Sequence, residues 1–297
     1  MKSSEDRFPG DGPTKRELPE PYNLDLSQVL THLKPKTPAA RAESANDPLT
    51  AAFLASAKRL LDQHLGPGGH CRCTSRHDNL SLLGILSQRN LVDSLTGIPE
   101  PFPKRATQSV LRNRWEHHSD FIADLVAFII WEEVFRPGYP AFREAVAARL
   151  TTDENFVDTV HEVAYLHTDT GAELTSVRLS LALMILAEDD EHIARATREA
   201  YSTYLEPWKT LYEQVMLARG LRLRAGLTLD MLVDALSVVN DGVTLRAIVN
   251  PADVLDHDHQ RSLTGTITLA VLNSFLERAD RSDGLTLEQA VADHLLA

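Results

Sequence analysis

The sequence predicts an all-α protein, with an N-terminal helix-turn-helix head of three helices followed by a larger helical bundle. Three observations predict it. Apolar residues recur at helical spacing in nearly every segment after Pro137. No stretch alternates with period two for long enough to demand a strand. Aromatic residues make up only 6% of the 297, too few for an aromatic-rich β-sandwich. With 43% hydrophobic residues the chain can bury a sizeable core, and its length suits two domains.

Residues 1–46 are rich in Pro, Ser and mixed charge, and read as a disordered or loosely docked arm in which only Leu24 to Leu33 could form a short amphipathic helix. Asp47 as N-cap and Pro48 at the first helical position open a strong helix carrying Leu49, Phe53, Leu54, Leu60, Leu61 and Leu65, and Gly66 with Pro67 ends it. A polar loop follows, GPGGHCRCTSRHDN. Ser87 can cap a short helix through Leu91, Val92 and Leu95 to Gly97. The run Ile98 to Ala106 holds Pro99, Pro101 and Pro103 and reads as a rigid connector. Thr107 caps a helix from Gln108 to about Trp115, and a longer one starts near Ser119 with Phe121, Ile122, Leu125, Val126 and Ile129. Later helices are expected at Ala141–Leu150, Glu154–Leu166, Glu173–Ala187, His192–Ala218, Leu229–Val249, Ser262–Ala279 and Leu287–Leu296, with Pro207 kinking or splitting the fourth. There is no internal repeat and no Gly-rich phosphate loop.

Charge is uneven. Residues 1–48 carry a net −1, residues 49–118 a net +4 and residues 119–297 a net −15, within a total of −12. A local basic face on an acidic body can hold phosphates while the body limits non-specific contact with nucleic acid; chance clustering gives the same count. Two cysteines, Cys71 and Cys73, cannot form a disulfide framework. The first residues lack the apolar core of a signal peptide, and the longest apolar stretch, Phe121 to Trp131, is short for a bilayer and contains Asp124. A cytoplasmic protein without membrane contact is expected.

A helix-turn-helix sets the N-terminal part of its second helix in the major groove. In Thr107–Trp115, Val110 and Leu111 can face inward while Gln108, Ser109, Arg112 and Asn113 face outward. Gln, Asn and Arg suit bidentate contacts to bases. Lys104 and Arg105 stand just before, placed for phosphates. An ordinary amphipathic surface helix has the same pattern.

The stretch TQSVLRNRWEHHSDF, Thr107–Phe121, resembles the third and early fourth helices of TetR-family (tetracycline-repressor-like) regulators. Thr107 matches the capping hydroxyl, Leu111 the buried aliphatic, and Arg114–Trp115 the basic–aromatic pair; His117 and His118 stand at the Ser-Lys position. Leu211–Gly220 and Leu227–Pro251 are similar to the seventh and eighth helices of that family. The resemblance implies a DNA-binding domain over 47–118 and a ligand-binding, dimerising domain over 119–297. It adds Thr107, Arg114, Trp115, His117 and His118 to the DNA-contacting set. It also implies a homodimer on a palindromic double-stranded operator, released by a small-molecule effector, without catalytic chemistry or cofactor. The chain departs from the pattern in the nine residues Ile98–Ala106, where a turn of about three or four is usual. The alternative is a helical ligand- or partner-binding dimer whose head no longer binds DNA.

Body aromatics Trp131, Phe135, Tyr165, Trp208 and Tyr212 could line a pocket or simply fill the core. The two late helices are apolar on more than one side, so they are buried on more than one side. Leu232, Leu236, Val239, Ile267, Ala270, Val271 and Ser274 are expected at a dimer interface, with small residues such as Gly265 allowing close approach. His70, Cys71, Cys73 and His77 have zinc-ligand chemistry but tight spacing and no second Cys pair. Asp189-x-x-His192 lacks a matching partner motif for a di-iron site, and its acidic run also suits a helix N-terminus.

Overall fold

The computed structural model describes residues 14–67, 82–135, 139–186 and 191–296. These residues are predominantly helical. The chain divides into two compact units. One holds Met1–Glu133 with Ala182–Ala200, and the other holds Val134–Leu181 with Tyr201–Ala297. The Cys71/Cys73 loop and Asp189 lie outside the described residues, as do the side chains of Phe135 and His192.

In the first unit, α1 (Pro38–Ala45) and α2 (Pro48–Leu65) are capped by Thr37 and Asp47, whose side chains accept from Ala40 N and Leu49 N. Then come α3 (Leu82–Ile85), α4 (Gln88–Ser94), α5 (Gln108–Arg114) and α6 (His118–Phe135). α4 packs on both α2 and α5. The core is the apolar side of each: Phe53, Leu54, Leu61, Leu91, Leu111, Phe121 and Phe128 are fully buried. α6 belongs to this unit rather than opening the body at residue 119, because Phe121 stacks edge-on to Trp115 at 5.0 Å and Phe128 meets Tyr22 at 5.3 Å.

Residues 14–46 are not a loose arm. Leu18, Tyr22, Leu26, Val29, Leu30 and Leu33 are buried, and Tyr22 meets Phe102 of the proline connector edge-on at 5.0 Å. The expected Leu24–Leu33 helix is absent: its backbone makes isolated turns, with Val29 N and Leu30 N donating to the Leu26 carbonyl, and donors along it and just after it find distant partners. Leu26 N donates to Asn46 Oδ1, His32 N to Asp124 Oδ1, and Lys34 N to the Arg114 carbonyl. A strap with apolar side chains inward therefore replaces the helix.

The second unit contains α7 (Tyr139–Thr152), α8 (Phe156–Glu173), most of α9 (Thr175–Leu186), the C-terminal part of α10 (Glu191–Ala218), α11 (Leu229–Val249), α12 (Leu263–Phe275) and α13 (Leu287–Leu296). α10 runs as one helix through Pro207. A proline inside a helix costs about 3 kcal/mol. Burial of Leu211 and Val215, with half-buried Trp208 and Tyr212 beside them, gains about 1.5–3 kcal/mol per large side chain and offsets that cost. The expected Ser262–Ala279 helix is shorter. Two antiparallel pairs bracket it, β2 (Leu255–Asp256) with β3 (Arg261–Ser262), and β1 (Leu221–Leu223) with β4 (Leu276–Arg278). α8 packs on α11 and α12. Gly265 permits that approach: a Cβ there would lie 2.7 Å from His161 Nδ1.

Candidate functional site

Two regions carry the expected sites. In the first unit, Thr107 Oγ1 accepts from Val110 N and caps α5, and Leu111 anchors it inward. Arg105, Thr107, Ser109, Arg112, Asn113 and His117 are exposed, and Gln108 is half-buried. Arg112 already bridges two glutamines, Nε donating to Gln88 Oε1 at 3.1 Å and Nη2 to Gln108 Oε1 at 3.2 Å. Lys104 pairs with Glu100 at 2.6 Å.

Three expected contact residues instead hold the unit together. The Arg114 side chain is only 13% exposed; it pairs with Asp47 at 2.8 Å and donates to Thr50 Oγ1. Trp115 is buried and its Nε1 donates to Asp124 Oδ2 at 2.8 Å. His118 stacks on Phe121, and both its ring nitrogens are buried without a hydrogen-bond partner, so burial pushes its pKa down. The spacing carried the warning: Leu111 and Trp115 lie four apart, on one helical stripe.

The second unit holds a cleft of about 590 Å³ among α8, α10, α11 and α12. This volume lies within the range of small-molecule sites. Leu150, Phe156, Val160, Leu232, Leu236, Leu269 and Leu272 make most of its wall apolar. Of the five expected ligand contacts, Trp208 and Tyr212 line it, with ring centroids 6.3 Å apart. Tyr165 does not: it is buried in a separate core cluster with its hydroxyl 2.7 Å from His257 Nδ1. Trp131 stacks on Phe128 in the first unit.

A polar strip crosses this apolar wall. His167 Nδ1 donates to Asn240 Oδ1 at 2.9 Å, which leaves the Nε2 lone pair toward the Tyr204 hydroxyl at 3.4 Å; the imidazole stands edge-on to Trp208. Burial pushes the His167 pKa down, opposed by the Asn240 bond and the Asp241 charge, and so favours the neutral ring. Next on α11, Asp241 accepts from the Tyr201 hydroxyl at 2.6 Å, and Tyr201 also bonds Ser237. Burial pushes the Asp241 carboxyl above its ordinary range. From the sequence, His167 reads as a satisfied core or surface residue rather than a ligand contact, and Asn240 and Asp241 escape notice as polar interruptions of α11; the available signal was two adjacent polar residues inside an otherwise apolar helix.

Of the expected interface residues, Leu232 and Leu236 are buried inside this unit, and Val239 and Ile267 pack on its core. Gly265 likewise serves the contact with α8. Val271 and Ser274 are half-buried, and Ala270 is exposed. The apolar surface left over on α11 is a different stripe, Met231, Val238, Leu245 and Val249, with exposed Gly242 between them. Among the described residues no group of three His, Cys, Asp or Glu could hold a metal ion, and no helix is long and apolar enough to cross a membrane. No family model, curated protein or solved structure matches the chain.

Proposed function

We propose that this chain is a small-molecule-responsive transcriptional regulator of TetR-like design, with the effector held in the cleft of the second unit. The observation that carries the reading is the cleft itself: an apolar wall crossed by His167, Asn240 and Asp241, a composition suited to a ligand of apolar body and one polar group. In support of the DNA arm, α5 is capped, anchored by Leu111, and presents Arg105, Ser109, Arg112 and Asn113 outward.

Selection of genomic fragments by the purified protein tests this arm. Arg112→Ala should weaken a selected site by roughly 1–3 kcal/mol and leave random DNA almost untouched. Equal loss on both removes the base-reading role.

A homodimer is part of the proposal, formed through the Met231, Val238, Leu245 and Val249 stripe. Such an interface is isologous, so each substitution acts twice. Sedimentation at micromolar concentration should give a dimer that Val238→Glu dissociates; a wild-type mass of 33.0 kDa removes the homodimer on a palindromic operator.

A second reading has its own support. Arg112 and Lys104 already have partners, and Arg114, Trp115 and His118 are spent inside the first unit. A ligand-binding dimer without DNA function fits these facts, and failure of fragment selection with an intact dimer favours it.

A further inference from the structure

We propose that the cleft of the second unit selects amphiphilic cations, with the apolar body against Trp208, Leu236 and Leu269 and an ammonium group beside the Asp241 carboxylate. The inference rests on the reading of the cleft as a ligand site and adds the charge of the ligand.

The argument is a census of charge along the lining. Glu277 is met by Arg222 at 2.7 Å and by Arg224 at 3.9 Å. Arg278 is paired with Asp280 at 2.9 Å. Arg219 places its Nε and Nη2 donors on the carbonyls of Leu150 and Asp153, lies over the Phe156 ring at 4.4 Å, and acts on the nearby Asp153 carboxylate. None of these cations is left over for an anionic ligand.

Asp241 is different. Its hydrogen-bond partners, the Tyr201 hydroxyl and the adjacent Asn240 side chain, are both neutral, and among the described residues no lysine or arginine forms an ion pair with it. Burial is the largest influence on the nearby His167 and disfavours its charged form, with the Asn240 bond and the Asp241 charge opposing. Asp234, about two helical turns back on the same helix, adds negative potential at Tyr201. A carboxylate removed from water without a cation is costly, and a ligand ammonium relieves that cost on binding. Two aromatic rings, Trp208 and Tyr204, line the same cleft, and aromatic rings favour a cation that meets their face. A carboxylate ligand meets the opposite: an unpaired like charge, which its apolar contacts have to overcome.

The experiment titrates the intact protein calorimetrically with decylamine, decanol and decanoate, below their self-association limits, at neutral pH. The three probes share a chain and differ in head charge. Decylamine should bind at least tenfold tighter than decanol, and decanoate most weakly. Asp241→Asn should lower decylamine to the affinity of decanol, and Asp241→Glu should keep the preference. Leu269→Trp, which fills the cleft, should weaken all three. Circular dichroism verifies folding, and the wild-type comparison stands even if one variant does not fold. Equal binding of decanol or decanoate overturns the cation preference and leaves the cleft an apolar ligand site. A preference that survives Asp241→Asn overturns the role of Asp241. No binding of any probe overturns the ligand site itself.

Discussion

Asp124 and Asp241 stand in opposite situations. Each is an aspartate inside an apolar helix, α6 in the first unit and α11 in the second. Asp124 is completely buried and saturated: Oδ1 accepts from the His32 backbone N and Nδ1, both at 3.0 Å, and Oδ2 accepts from Trp115 Nε1 at 2.8 Å. Asp241 is half-buried, has one short bond from Tyr201 and a weaker one from Asn240, and lines the cleft. Burial of a charge is tolerable when both its oxygens are well hydrogen-bonded, so the first is a staple. The second keeps unspent capacity, which is what a binding group needs.

The largest test of this contrast is Asp124→Ala. It strands the Trp115 indole N–H and removes the anchor that joins the 14–46 strap to α6. The expected loss is about 3–5 kcal/mol in chemical denaturation, since one partner of a buried pair is deleted. A loss within about 0.5 kcal/mol, the size of an ordinary surface change, would make the network decorative.

Asp241→Asn should act in the opposite direction and by less. The raised pKa means that the fold penalises the ionised form, so the penalty is absent at acid pH and grows as pH rises above the ordinary 3.8. The amide keeps the bond from Tyr201 and removes the charge. Its Tm at neutral pH should exceed that of wild type by a few degrees, about 1 kcal/mol or less, and the gain should vanish near the ordinary carboxylate pKa. A destabilised Asn variant at neutral pH contradicts the idea of an uncompensated charge.

The smallest effect concerns the strap. Its bond to Asp124 raises the His32 pKa above the ordinary 6.5, with desolvation opposing. For a base raised in the fold, the stabilisation is complete below the unfolded value and is lost as pH rises through the folded value. The stability difference between wild type and His32→Ala should therefore be larger at about pH 5.5 than at about pH 9. An equal difference at both restricts His32 to a neutral hydrogen bond. The Asp241 variant serves as the control, because its response to pH runs through the carboxylate range instead.

The sequence alone determined the helical class and most helix starts, because those depend on local physics. Asp47 before Pro48, Ser87, Thr107 and Thr228 cap the helices that follow them, and each supplies a side-chain acceptor to its own first turn. The apolar spacing of Phe53, Leu54 and Leu61 likewise specifies a buried face without reference to any neighbour.

Only the tertiary structure decided how ambiguous surface was spent. A stripe such as Leu232–Leu236 has the same periodicity whether it meets its own core or a second copy, and here its own core takes it while Val238 stays exposed. Arg114 and Trp115 have side chains suited to DNA, but Asp47, Thr50 and Asp124 lie far enough away in sequence that no local pattern shows them waiting. Within 14–46, Leu26, Val29, Leu30 and Leu33 have helical spacing, yet the structure buries them along an irregular strap, and the backbone donors of Leu26, His32 and Lys34 are satisfied by Asn46, Asp124 and Arg114. Asp124 and Asp241 are the plainest case. Both are one charge in an apolar run, and whether such a charge is a staple or a vacancy depends on the donors that other helices bring to it.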